Sequence, residues 1–457
     1  MRKTILFTVL FSCCFLCYCH VKDSTLIKGK LKWDRENILD FPPTVKIINA
    51  RNSMFTKELI VDSLGQFSTR LPKGKYSIVP SKSYHWQGEE IIRINAQKSS
   101  KKFVIKKHDS KVSLILKLKT LKEPHLIGSR GILFNFNNKS GKHIDSFMET
   151  YMDYYQVPGA SLAVIKNSEI IFKNSYGVKN AKTNETVNQG TLFEAGSITK
   201  IVFAFAVMRL YEREEIDLDR PLYQYLPHTE INDDRYELIT ARHVLSHQTG
   251  ISNWPKKDSN GQFKLNFTPG TRYGYSGKAY EYLKEVIESI TSKTIDDILK
   301  EEVLAPLRIK NMYFKENEHI KKHGANGHKN NIPSDIFLTN RTMVSYTMQT
   351  TSESLAKFAL ALYNRKGLKK TTYEEMFKIH STRTDGTKWG LGVRIQDSKD
   401  GITYGHSGST NRGFISNLIF YDASGLGYVI LTNSQMGGFL SLPLLNEYLI
   451  LGKTNYR

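Results

Sequence analysis

Past residue 19 the chain has no cysteine: Cys13, Cys14, Cys17 and Cys19 are all there are. A body without thiols has no disulfide, no cysteine-held metal and no thiol nucleophile. None of the 13 histidines stands in a His-Glu-x-x-His pattern, so nothing points to a zinc hydrolase, and neither metal nor cofactor is expected. Beyond the first residues no apolar run approaches the ~20 residues of a membrane-crossing helix, and the mean hydropathy of −0.39 argues against a polytopic membrane protein. Repeats and low-complexity tracts are missing too, which excludes solenoid, collagen-like and coiled-coil architectures. Acidic residues are scarce, 44 against 65 Lys and Arg.

What is present is enough chain, 457 residues, for two or three domains with ample core. The formal charge of +21 is uneven: residues 20–122 hold 22 Lys and Arg against 9 Asp and Glu. Such an excess can serve an electrostatic partner or simply solvate a small domain. No helix-turn-helix, zinc finger or aromatic RNA-binding pattern accompanies it, so nucleic acid is not expected as a partner.

The first 19 residues read as an export signal: Met1-Arg2-Lys3, then the apolar run Thr4–Cys19. Leu10-Phe11-Ser12-Cys13 resembles a bacterial lipoprotein box, which implies lipid on Cys13 and a periplasmic, outer-membrane or cell-surface location. Plain secretion and a retained anchor are the alternatives. Residues 20–122 read as a β-sandwich, with strands at 45–48, 58–61, 65–71, 75–79, 90–94, 102–105 and 113–118 between Pro, Gly, Asn and Ser turns. Within it, Asp62-Ser63-Leu64-Gly65-Gln66-Phe67 followed by Leu71-Pro72-Lys73-Gly74-Lys75-Tyr76 resembles the hairpin of carboxypeptidase-regulatory-like domains. Residues 123–140 read as a linker. From 141 to 457 helices and strands mix, with strands at both ends and helices between. That predicts an α+β domain whose antiparallel sheet takes its edges from the terminal segments, with a helical insert.

Three Ser-x-x-Lys pairs occur, at 99/102, 197/200 and 354/357. Only the second precedes an apolar run, Ile201–Met208, that would be a buried helix. Ser197 then sits at a helix N-terminus, where free N–H groups favour developing negative charge. Lys200 lies one turn on, close enough to touch the hydroxyl, and burial should lower its pKa. Two further patterns follow in order: Tyr273-Gly274-Tyr275-Ser276-Gly277 ahead of a helix, and Tyr404-Gly405-His406-Ser407-Gly408-Ser409 just before a strand.

This triple resembles the serine β-lactamase and penicillin-binding-protein family, in the branch of class C β-lactamases, D-aminopeptidases and related esterases. Val157–Val164, Phe193–Ser197, Val244–Ile251 and Pro306–Met312 resemble its other motifs in the same order. The resemblance implies a transpeptidase-like fold and a serine hydrolase working through an acyl-enzyme. In it Ser197 is the nucleophile, and Lys200 and Tyr275 handle the proton, the ammonium depressing the phenol. The oxyanion lies between the N–H groups of Ser197 and Ser409. Gly408 gives the substrate room along the strand, and His406 brings a titratable charge where relatives carry Lys. His247 reads as a structural residue that ties down the insert. Gly277 departs from the family's Tyr-x-Asn. That removes a group which would bind an acyl-amide and hold Lys200, so ester hydrolysis gains over β-lactam or D-Ala-D-Ala cleavage. The expected substrate is a small or peptide-like ester or amide; the alternative is an impaired module that binds cell-wall peptides.

Overall fold

A computed structural model describes residues 24–33, 44–50, 56–61, 66–80, 84–87, 90–93, 101–106, 111–118, 140–398, 401–422 and 424–440. The export signal with Cys13 lies outside the described residues, and so does the expected linker except Ser140, which begins a helix. The chain divides into two compact units, Met1–Glu123 and Pro124–Arg457.

In the first unit Ser24–Trp33 runs antiparallel to Gln66–Pro72 and parallel to Lys111–Leu118. A second sheet joins Thr56–Ile60, Thr44–Asn49, Gly74–Pro80 and Lys101–Ile105, all antiparallel. Ile27, Phe67, Leu71 and Leu114 of one sheet form a single buried cluster with Val45, Ile47, Tyr76 and Ile78 of the other. That is a β-sandwich. The strand Ser24–Trp33 escapes a hydrophobicity reading because Lys28 and Lys30 hold its outward face. Its Gly29 faces Phe67 across the pair, and a Cβ there would sit 2.0 Å from the ring, so the glycine is what lets the ring cover the strand.

Among the described residues of the second unit nine strands form one antiparallel sheet. The hairpin Gly159–Lys166/Glu169–Asn180 turns at Asn167 and Ser168, both with positive φ (50° and 67°), the geometry that matches strand twist. Gly427–Thr432 pairs with the other side of Gly159–Lys166 and is followed by Ile415–Tyr421, Gly401–Ser409 and Arg394–Ser398. The C-terminal strand is therefore interior, not an edge as the sequence predicted. All six of its residues are buried, which requires neighbours on both sides. The edges are the short strands Glu185–Thr186 and Ser381–Thr382.

Three helices matter for the site. Thr199–Glu212 is buried almost all round, from Thr199 to Met208, as its apolar run requires. Gly277–Thr291 starts at Ser276, whose hydroxyl accepts the Ala279 N–H. Ser352–Tyr363, capped in the same way by Thr351, packs on the sheet beside Gly159–Lys166.

Candidate active site

Ser197 lies in the short turn Gly196–Ile198 that leads into Thr199–Glu212. Gly196 takes positive φ (52°), and a Cβ there would press on the backbone of Ser409 at 2.9–3.0 Å. Next to it, a Cβ on Gly408 would fall 1.8 Å from the Ala195 carbonyl and 3.3 Å from the Ser197 nitrogen. These two glycines let the strand Gly401–Ser409 lie directly on the Ser197 turn. Gly408 thus makes room for the protein's own backbone, not for substrate. The six residues from Tyr404 to Ser409 form part of this strand, and the expected strand after them is Ile415–Tyr421.

Lys200 is buried, and its Nζ lies 3.2 Å from Ser197 Oγ. It also donates to the Ser345 carbonyl at 2.7 Å, so it is firmly held without an Asn at position 277. Burial pulls its pKa down to about 7, against a modest upward pull from Glu281. Glu281 is itself buried, takes hydrogen bonds from the Ser345 N–H (3.0 Å) and hydroxyl (2.5 Å), and is raised above the ordinary carboxylate range by burial. Sequence reasoning missed both Glu281 and the carbonyl of Ser345. Glu281 lies one helical turn after Gly277, on the same face, and that spacing was the available signal.

Tyr275 shares a hydrogen bond with Ser197, and its ring centre is 4.9 Å from Lys200 Nζ. Its phenol is pushed up to about 12 by burial, opposite to the depression expected from a neighbouring ammonium. Desolvation of the phenol outweighs the lowering by its hydrogen bond to Ser197. The tyrosine is held by His247: the His247 carbonyl accepts the Gly274 N–H at 2.7 Å and its Nδ1 accepts the Ser276 N–H at 3.3 Å. The two rings lie 4.2 Å apart.

His406 is buried, edge-on to Trp389, with Nδ1 against the Ser407 carbonyl at 2.7 Å. Burial first, and Lys200 second, drive its pKa down to about 3. Burial thus favours the neutral imidazole near neutral pH, against the titratable charge expected there. Ser409, by contrast, opens onto a cleft of about 540 Å³ with Ser197, Lys200, Tyr275, Gly277 and Ser345. Of the other two Ser-x-x-Lys pairs, Ser354 and Lys357 are turned to other partners, Ser354 bonding to the Lys310 carbonyl while Lys357 pairs with Glu353; Ser99 lies outside the described residues. Arg412 on the cleft rim forks onto the buried carboxylate of Glu194, three residues before Ser197. Among the described residues no group of three His, Cys, Asp or Glu could hold a metal ion, and no helix is long and apolar enough to cross a membrane.

The model of the family described as Beta-lactamase matches residues 144–441, well over half the chain. The protein belongs to the β-lactamase family. Relatives of this family member include Protein flp of Staphylococcus aureus (strain MW2), 26% identical over 208 residues that are 42% of each chain. Esterase EstB of Burkholderia gladioli is 24% identical over 199 residues, 37% of this chain and 50% of the esterase. The chain thus spans half or less of the length of these curated relatives. Among solved structures, the octameric penicillin-binding protein homologue from Pyrococcus abyssi superposes with a TM-score of 0.60 at 22% identity, over 68% of this chain and 77% of that one. That likeness establishes the transpeptidase-like α+β fold.

Proposed function

We propose that this β-lactamase family protein is a serine hydrolase that cleaves small esters, and secondarily amides, through an acyl-enzyme on Ser197. The observation that carries the reading is Lys200: a buried amine drawn to about 7 and set 3.2 Å from a serine hydroxyl. As a neutral amine it takes the Ser197 proton while Oγ attacks the carbonyl carbon. The oxyanion is met by the N–H groups of Ser197 and Ser409. As the tetrahedral adduct collapses, the Lys200 ammonium returns the proton, through the neutral phenol of Tyr275, to the departing alcohol or amine. Water then repeats the sequence on the acyl-enzyme. The similarity to an esterase and the missing Asn at position 277 favour esters over β-lactams.

A fluorophosphonate probe, followed by peptide mass analysis, tests the nucleophile: the expected mass shift falls on the Ser197 peptide. No labelling at any pH would leave a module that only binds cell-wall peptides. Steady-state comparison tests the substrate class, with kcat/KM for p-nitrophenyl acetate expected to exceed that for nitrocefin. We further propose an envelope location, on the basis of the basic and apolar start of the chain and the Leu-Phe-Ser-Cys run ending at Cys13.

A further inference from the structure

One buried ionisable side chain of the cleft takes no part in the proton transfer described above. Glu281 is only 6% exposed and stands between Tyr280 and Tyr282, both members of the hydrophobic core. A carboxylate in such a place costs free energy unless it is paired. Its cation, Lys284, lies 3.7 Å from Oε2, beyond hydrogen-bond reach, and among the described residues nothing donates to that oxygen. Ion pairing therefore does not account for Glu281.

The other oxygen is fully engaged, and by a single residue. Oε1 accepts the Ser345 N–H at 3.0 Å and the Ser345 hydroxyl at 2.5 Å. The local ties of that turn run past Ser345, from the N–H groups of Tyr346 and Thr347 to the Met343 carbonyl, both at 3.2 Å. Both backbone groups of Ser345 thus bond to outside partners: the N–H to Glu281, and the carbonyl to Lys200 Nζ at 2.7 Å. Nζ in turn lies 3.2 Å from Ser197 Oγ. A neutral amine has one lone pair, and an N–H committed to a fixed carbonyl leaves that lone pair free to face the serine hydroxyl. Gly277 keeps the arrangement clear, since a Cβ there would stand 3.2 Å from Ser345 Cβ and 3.1 Å from Asn253 Oδ1.

We propose that Glu281 is a positioning residue for the base: it fixes Ser345 so that the Ser345 carbonyl aims Lys200 at Ser197, and its charge steadies the ammonium that Lys200 becomes. Among the described residues it is the acidic group that acts on Lys200. The other groups facing Lys200 are uncharged near neutral pH: burial keeps His247 and His406 neutral and raises the phenols of Tyr275 and Tyr280. Burial raises Glu281 itself, while Ser345, Lys284 and Lys200 pull it back down. The consequence for turnover rests on the hydrolase reading; the hold on Lys200 does not.

Two variants separate the hydrogen bonds from the charge. Glu281→Gln keeps an oxygen for both Ser345 donors and removes the charge, whereas Glu281→Leu removes both. On the alkaline plateau with p-nitrophenyl acetate, Glu281→Leu should lower kcat about tenfold or more, the worth of at least one hydrogen bond, with KM little changed. Glu281→Gln should recover most of that loss, while its rising limb of kcat/KM moves to lower pH because the ammonium has lost its support. A residue that merely packed the helix would give neither the split between kcat and KM nor the pH shift. Parent-like kcat in Glu281→Leu, or equal losses in the two variants with an unmoved limb, overturns the proposal. A measurement without turnover completes the test: the NMR titration of the Lys200 Cε in carbon-13 lysine-labelled protein, assigned with Lys200→Arg. It is expected at about 7 in the parent and at lower pH in Glu281→Gln. If the fluorophosphonate probe leaves Ser197 unlabelled and this shift is still seen, the hydrolase reading fails and the hold on Lys200 stands. An identical titration in parent and Glu281→Gln refutes the proposal whatever the turnover.

Discussion

At neutral pH an ordinary lysine is an ammonium and cannot accept a proton. Lys200 can, because burial draws it to about 7, so a large fraction is already neutral there. The groups around it do not reverse this: Glu281 pulls weakly upward, while His406 and Tyr275 are neutral near that pH. The active form is the deprotonated one, so kcat/KM should rise as pH increases through about 7 and then level off. Because His406 does not charge in this range, a neutral ester and a matched carboxylate-bearing ester should give parallel profiles. Opposite slopes between the two would mean that His406 ionises after all. Replacement of the nucleophile is the companion experiment. Ser197→Ala should lower kcat by ~10³-fold or more, since nucleophile and base act as a unit, while the thermal midpoint stays within a degree or two. Residual turnover within tenfold of the parent would move the chemistry elsewhere.

Between elements, the decisive contact is backbone on backbone. The strand Gly401–Ser409 crosses the Ser197 turn so closely that only glycine fits at 408, with the Ala195 carbonyl 1.8 Å from where a Cβ would be. Gly408→Ala must therefore move strand and turn apart. We expect about 3 kcal/mol of destabilisation, the upper end for overpacking, together with loss of activity as the Ser197 and Ser409 N–H groups separate. Chemical denaturation and p-nitrophenyl acetate turnover measure the two effects. A stable, fully active variant would show that the strand does not form part of the oxyanion site. The helix Gly277–Thr291 contributes in a similar way: its start meets the loop of Asn253, and one turn later Glu281 reaches Ser345.

For the whole molecule, the two units carry separate cores, and the residues proposed to be catalytic all belong to the second. The first unit holds most of the excess positive charge, which suits a surface turned to an anionic envelope. The proposed lipid on Cys13 would need several acyl chains for stable attachment, since one chain binds membranes only marginally. The full chain should partition into detergent, and Cys13→Ser should shift it to the aqueous phase. Identical aqueous partitioning of the two would refute the lipid anchor.

How much of this could be read along the chain depends on how local each feature is. The Ser197/Lys200 pair was legible because one helical turn brings a hydroxyl and an amine together, and because the run Ile201–Met208 announced a buried helix that would desolvate the amine. The family resemblance was legible for a related reason: its motifs are short, collinear and chemically marked. The rest depended on which strands and loops become neighbours. Gly427–Thr432 moved to the interior because its position follows from pairing with a strand some 260 residues earlier. Tyr275 rose instead of falling, and His406 lost its charge, because desolvation is set by everything packed around a group. Gly277 looked like a missing side chain until Ser345, held by Glu281, was seen beside it. A sequence lists covalent neighbours, whereas burial and the sharing of one cleft by Ser197, Gly277, Glu281 and Ser345 arise only when distant segments pack together.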